Sequence, residues 1–415
     1  VTLAAQERLD NVTLLEAADP SGMLLQVASS AAQVRESARG ALEADLSGLI
    51  AAGRPRAIVV TGMGGSGIAG EVLAAVAGPG CPVQVTTVHD YRLPGWVGVA
   101  DLVIAVSCSG ATEETLSAAG EAVRRGCHLL GVGSLDSPLA AMAEQARAAF
   151  IPVKAIGMPR SMLWGLSVPL VVAASKLGLF DMPAEAYEAA AAELERVAHL
   201  CRPDSEAFVN PAKGLALELS GSLPMIWGTS PLAGVAAFRF ANQLYENGKY
   251  PAIPGVLPEA NHNQVVVFDG PFAPEADGGA VPGPEAGVVP GPHAGLMPGL
   301  DDDVTPGLDG GLIPGLSNGL AHSAPVPPVP LRLVVLRDTH EHPQVARRRE
   351  ESVKIAAQRG IEVSELTAAG DLPLERLASL VHLIDYASVY LAIAGGTDPA
   401  PIAAIQELKA RIAQE

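Results

Sequence analysis

A chain of 415 residues, 49% hydrophobic and 17% charged, can bury the cores of two or three domains and is not a disordered polymer. Its formal charge of −18 opposes a nucleic-acid backbone or an anionic membrane as partner. With 4% aromatics it also has little to stack on single-stranded nucleic acid, so an anionic small molecule would need a local binding device rather than the overall field.

In chain order, helical residues near 22–52 precede a repeated strand, turn, helix pattern. The run AIVV (57–60) is a short β-branched strand, followed by the turn TGMGGSG and the helical IAGEVLAAVAG. VQVTTV (83–88), DLVIAVS (101–107) and HLLGVG (128–133) are further strands of buried composition. The helix over 112–125 opens at Thr112 with Glu113 and Glu114 in its first turn, as a helix N-terminus favours. After long helices near 184–200, LPMIWGTS (223–230) reads as strand and turn, and PLAGVAAFRFANQLYEN as a helix with Pro231 at its first position. QVVVF (264–268), LRLVVL (331–336) and IEVSEL (361–366) are predicted strands; helices over 342–359, 373–393 and 400–413 close the chain. Alternation of this kind predicts an α/β protein with parallel sheets covered on both faces, in two domains over 1–155 and 156–415.

One segment stands outside this logic. Across 270–330, Pro-Gly recurs at 282, 290, 298, 306 and 314, which predicts a string of turns inserted in a hairpin-like connection. It holds seven acidic residues and no Lys or Arg, and the rest of the chain still carries −11. Cys81, Cys108, Cys127 and Cys201 are too scattered for a zinc or disulfide framework and predict reduced thiols. The N-terminal stretch has no basic region before an apolar one, and no apolar run reaches membrane-spanning length without Gly, Pro or charge. The expectation is a cytoplasmic protein with neither nucleic acid nor membrane as partner.

Three stretches carry chemistry. SCSGATEET (107–115) sits at the carboxyl end of a strand and the start of a helix, where open α/β sheets bind ligands. The hydroxyls of Ser107, Ser109 and Thr112, the backbone around Gly110 and the helix N-terminus form an anion cradle without Lys or Arg; alone, the motif is equally a capped turn. GMGGSGIAG (62–70) contains G-x-G-x-x-G, but a dinucleotide site wants an acidic residue about 20 positions on, and Asp90 fits that place loosely. A tight turn offering the Gly65 N–H and the Ser66 hydroxyl to the same anion is the simpler reading. The third stretch, ENGKYPAIPGVLPEANHN (246–263), crowds Glu246, Lys249, Glu259 and His262 among turn formers.

Taken together, GMGGSG, SCSGATEET, GMPRSMLWGL, FANQLYENGKYPA, LPEANHNQ and the closing DPAPIAAIQELK come in the order found in the bifunctional phosphoglucose/phosphomannose isomerases, which the chain resembles over nearly its whole length except 270–330. That family belongs to the sugar isomerase (SIS) superfamily. The resemblance implies two SIS-type domains, each a mainly parallel sheet flanked by helices. It also implies interconversion of glucose 6-phosphate or mannose 6-phosphate with fructose 6-phosphate through a cis-enediol, with no cofactor and no metal. It assigns Gly65, Ser66, Ser107, Ser109 and Thr112 to the sugar phosphate, Glu246 to the isomerisation base and Arg160 to the enediolate. His262 becomes the ring-opening histidine, donated across a homodimer, and Lys409 a lysine that assists ring opening.

The sequence departs from the family pattern at Cys108, Ala111, Met162, Trp164 and Gly248, which puts epimer preference in doubt rather than reaction class. Two other classes are weighed against this reading: a non-catalytic sugar-phosphate sensor, which would have no use for Glu246, and a dinucleotide enzyme, which lacks a convincing ribose-binding acid.

Overall fold

The computed structural model describes residues 3–273 and 329–412; most of the 270–330 insertion expected from the sequence lies outside the described residues. Its flanks meet, because the Leu331 N–H donates to the Phe272 carbonyl at 2.8 Å.

The chain opens with helices α1 (Leu3–Asp10), α2 (Val12–Ala18), α3 (Met23–Ala28), α4 (Ser30–Glu43) and α5 (Ser47–Ala52). Strand β1 (Ala57–Thr61), helix α6 (Ile68–Ala77), strands β2 (Gln84–Val88) and β3 (Leu102–Ser107), helix α7 (Glu113–Arg124), strand β4 (His128–Gly133), helix α8 (Pro138–Gln145) and strand β5 (Ala149–Pro152) follow. These strands form one parallel sheet in the order β2-β1-β3-β4-β5. Every residue of β1 and β3 is buried, as continuous apolar runs at the centre of a parallel sheet must be. Edge strand β2 is half-exposed, which corrects the expectation that VQVTTV is a buried strand.

Helices α9 (Leu163–Lys176), α10 (Ala184–Leu200) and α11 (Pro211–Leu219) lead to strand β6 (Leu223–Gly228), helix α12 (Pro231–Gln243) and strand β7 (Ile253–Val256). Strand β8 (Leu331–Arg337), helix α13 (Pro343–Gln358), strand β9 (Glu362–Thr367), helix α14 (Pro373–Ala394) and helix α15 (Ala403–Ile412) complete the chain. The second sheet is also parallel, in the order β7-β6-β8-β9. Two parallel sheets flanked by helices are the α/β fold expected.

One apolar core runs through both halves, from α4, α6 and α9 to α10, α12 and α14. Helix α14 is long and apolar enough to cross a membrane, but it is buried at the centre of this core. Its buried Asp385 is matched from a neighbouring helix, accepting two hydrogen bonds from Arg239 of α12, at 2.8 and 2.6 Å. From α11, Lys213 is buried with its ammonium donating to the carbonyls of Leu9, Pro203 and Ser205, which ties α1 to the second half.

The run QVVVF is not a strand. Residues Gln264–Asp269 form a 3₁₀ helix rather than a further strand of the second sheet, whose strands are β7, β6, β8 and β9. Phe268 stacks on Trp227 of β6 with ring centroids 5.6 Å apart, and Gln264 accepts the Trp227 indole N–H at 2.6 Å. Side-chain burial, satisfied by one aromatic contact and one hydrogen bond, replaces a backbone ladder here.

Candidate active site

In each sheet the strand order reverses once, and the crevice beyond the strand ends at such a point is where open α/β sheets take ligands. In the first sheet the reversal lies between β1 and β3, so the loops 62–67 and 107–112 face each other. The hydroxyls of Ser107 and Thr112 share a hydrogen bond of 2.9 Å, and the Cys108 N–H donates to Ser66 Oγ at 3.2 Å, which joins the two loops. Ser109 is exposed, and its hydroxyl accepts from the Ala111 N–H at 3.2 Å.

Thr112 occupies the N-cap of α7 without capping it through its side chain, and Gly67 does likewise for α6. Two helix N-termini therefore open at one crevice without a side-chain cap, an arrangement that suits an anion. Gly110 is the residue that makes the turn possible: its φ is +64°, and a Cβ there would run into the Ser137 side chain.

The turn carrying Arg160 closes against this cradle. A Cβ on Gly65 would lie 2.7 Å from the Pro159 carbonyl, so the glycine loop and the 3₁₀ turn Pro159–Ser161 are in direct contact. Arg160 is 3% exposed, and its Nη1 stands 3.5 Å from Glu246 Oε2. Burial pulls the guanidinium below its ordinary pKa, while the charges of Glu246 and Asp398 oppose that shift.

Glu246 lies in a π turn, Leu244–Gly248, which continues α12. Such turns are frequent at functional sites. Lys249 ends the turn in the left-handed conformation, with φ of 52°. Its ammonium donates to the carbonyls of Glu246, Asn247, Asp398 and Pro399 at 2.9 to 3.2 Å. It therefore caps the helix end and pins the loop at 398–400. Burial and the nearby Arg160 charge both lower the Lys249 pKa, with Asp398 and Glu246 opposing.

The structure thus brings Gly65, Ser66, Ser107, Ser109 and Thr112 together, and joins Arg160 to Glu246 beside them. It does not bring in His262 or Lys409. His262 is exposed in the 3₁₀ turn Glu259–His262 and makes no hydrogen bond among the described residues. Topology explains the separation. Helix α12 runs back along β6 and delivers Glu246 to the amino end of the second sheet. Parallel strand β7 then returns, leaving His262 beyond the opposite, carboxyl end. Lys409 sits on α15, which has no buried residue.

Two departures from the family pattern, Met162 and Trp164, are 1% and 0% exposed and belong to the core. Cys108 is also buried, and burial pushes its thiol pKa up.

The reversal point of the second sheet, between β6 and β8, is already filled by the chain itself. Asp338 at the end of β8 accepts from the Ser230 hydroxyl at 2.8 Å and from Arg376 Nε at 2.8 Å, and its N–H donates to Thr229 at 2.9 Å. An internal carboxylate takes the place an anion would occupy at the N-terminus of α12.

Sequence reasoning missed the groups behind Arg160: Asn247, Ser388, and the Arg239–Asp385 pair. Their signal was present, since a lone Arg in GVAAFRFANQ and a lone Asp in LVHLIDYASVYLAIA are opposite charges in two apolar helices.

Two parallel sheets with an anion cradle at the first reversal point, closed by a buried Arg and a carboxylate, define a protein of the sugar isomerase (SIS) class. The family model for the bacterial phospho-glucose isomerase C-terminal SIS domain matches residues 208–412. Among solved structures, a hypothetical protein from Thermus thermophilus shares the fold with a TM-score of 0.64 at 16% identity, covering 99% of this chain and 94% of that one. A bifunctional phosphoglucose/phosphomannose isomerase of Caldicellulosiruptor bescii is 30% identical over 357 residues, 86% of this chain and 89% of the relative. One of Aquifex aeolicus, bearing the same description, is 27% identical over 85% of this chain and 89% of its own length. The chain belongs to the bifunctional phosphoglucose/phosphomannose isomerase family.

Proposed function

We propose that the protein interconverts glucose 6-phosphate and mannose 6-phosphate with fructose 6-phosphate by moving a proton between C2 and C1. The observation that carries this reading is Arg160 Nη1 at 3.5 Å from Glu246, both beside a cradle suited to a phosphate. The phosphate takes the hydroxyls of Ser66, Ser107, Ser109 and Thr112, the Gly65 N–H and the N-terminal N–H groups of α6 and α7. The Glu246 carboxylate removes the C2 proton of the open-chain aldose as the C1 carbonyl oxygen gains a proton, giving a cis-enediol. Returning the proton to C1 while the C2 hydroxyl gives up its own yields the ketose. The fixed positive charge of Arg160 stabilises the oxygen on which negative charge develops.

Ring opening is assigned to His262 and Lys409. Because a chain's own His262 lies at the far end of the second sheet from its Glu246, His262 acts in the site of a second copy, within a homodimer. The halves 1–155 and 156–415 divide the work, the first supplying the cradle and the second Arg160 and the base.

Purified protein given fructose 6-phosphate forms glucose 6-phosphate and mannose 6-phosphate, measured separately. Glu246→Gln lowers turnover by about 10²–10⁴-fold while a hexitol 6-phosphate binds as before. Near wild-type turnover in that variant would remove Glu246 from the role of base. Ligand binding by the wild type with no product of either kind would point instead to a sugar-phosphate sensor.

A further inference from the structure

The Arg160 guanidinium has five N–H donors. Nε donates to Asn247 Oδ1 at 2.7 Å, and Nη2 donates to the carbonyls of Pro399 and Ala400 at 2.9 and 2.8 Å. Both outer edges of the fork are therefore held, and Nη1 is left facing Glu246. The main chain is held too, since Arg239 Nη2 donates to the Arg160 carbonyl at 3.0 Å while Asp385 fixes Arg239.

Asn247 is fully buried, and its orientation follows from its neighbours. Arg160 Nε can only donate, so Oδ1 must face it. The amide nitrogen then donates to Ser388 Oγ at 2.9 Å, and Ser388 Oγ donates to the Asp385 carbonyl at 2.7 Å. Arg160 Nε, Asn247 Nδ2 and Ser388 Oγ each have an acceptor in this relay. A flipped amide would set N–H against N–H at Arg160 and leave a buried orphan. Neighbouring residues of the π turn thus do different things: Glu246 is partly open to the crevice, and Asn247 is turned to α14.

We infer that Asn247 is a positioning residue of the reaction, braced by Ser388, which aims Arg160 Nη1 at the oxygen where charge develops without touching the sugar phosphate. The inference rests on the isomerase reading. A donor that stabilises developing charge is effective when it is fixed before the reaction, so loss of its brace lowers rate rather than binding.

The test compares two ligands. A hexitol 6-phosphate reports phosphate and hydroxyl binding; a five-carbon aldonic acid 5-phosphate, whose carboxylate imitates the enediolate, reports the aim of Arg160. Asn247→Ala is expected to lower kcat by about 10–100-fold with KM within about threefold. Affinity for the aldonic acid phosphate falls by a similar factor, and hexitol phosphate affinity holds. Ser388→Ala, which removes only the acceptor behind the amide, shows the same pattern more weakly, and Ser388→Thr restores it; these variants carry the test if Asn247→Ala does not fold. Unchanged kcat, or equal loss of both ligands, in an active protein overturns the role of Asn247 alone. A wild type that isomerises no hexose 6-phosphate overturns the isomerase reading and this inference with it.

Discussion

His382 shows how much a single side chain in this core can govern. It lies on α14, and among the described residues neither ring nitrogen has a hydrogen-bond partner. Full burial, with a smaller push from the Arg239 charge, depresses its pKa to about 3. The Arg239 charge acts on it, and the Tyr386 ring packs edge-on against it at 5.0 Å. The unfolded chain takes up this proton near pH 6.5 and the folded chain only near 3. The contribution of His382 to stability is therefore complete above the unfolded pKa and is lost as pH falls toward the folded one, to the extent of a few kcal/mol, in order of magnitude. His382→Phe keeps the ring contact and removes the proton site, so its Tm should fall less than that of the wild type between pH 7 and pH 5. Equal falls in thermal melts at the two pH values would take His382 out of the acid response. Site residues were legible at this scale where the family motifs named them, as with Glu246 and Arg160. Asn247 was in view inside one of those motifs, but its task was not, because its partners Arg160 and Ser388 lie 87 and 141 positions away.

At the scale of elements, α12 and α14 are joined by the Arg239–Asp385 pair, whose side chains are only 4% and 3% exposed. Removing one partner strands the other charge, whereas replacing both with apolar groups does not. Asp385→Ala should lose about 3–5 kcal/mol of stability in urea titration, and the double change Arg239→Met with Asp385→Leu should recover most of it. A double variant as unstable as the single one would show that the pair contributes more than charge compensation. The same variants separate stability from mechanism, since Arg239 also holds the Arg160 carbonyl: the double variant should refold well and still turn over slowly. Central strands were legible, as were the edge strands β2 and β9, whereas the edge strands β5 and β7 were not. β1, β3 and β8 announce themselves as apolar β-branched runs, but β5 and β7 are four-residue edge strands ending in or containing Pro, a composition that also marks loops. QVVVF misled for the opposite reason, having strand composition while its backbone turns into a 3₁₀ helix that buries Phe268 against Trp227.

Across the molecule as a whole, the cradle, Arg160 and Glu246 come from both halves of the chain, whereas His262 lies beyond the opposite end of the second sheet and α15 has no buried residue. The homodimer proposed above has a direct test. Glu246→Gln and His262→Ala proteins are each inactive alone, and co-expressed they form hybrids with one intact site. Random mixing should restore about a quarter of the wild-type rate, as binomial assembly of symmetric dimers gives. Activity no greater than that of the separate variants would place His262 outside the neighbouring site.

The class of this protein is written in its residues before any folding is considered. Period and composition specify parallel sheets, glycines and hydroxyls mark the loops at the strand ends, and ordered motifs point to Glu246 and Arg160, the base and arginine of the proposed reaction. These features are local, each set by residues a few positions apart. It took the assembled fold to close the second reversal point with Asp338 and to set Glu246 and His262 at opposite ends of one sheet. The fold alone grips Arg160 with carbonyls 239 and 240 residues away. The physical reason is that hydrogen bonds and charge pairs between distant segments depend on how the sheets and helices come together, which no short stretch of sequence records.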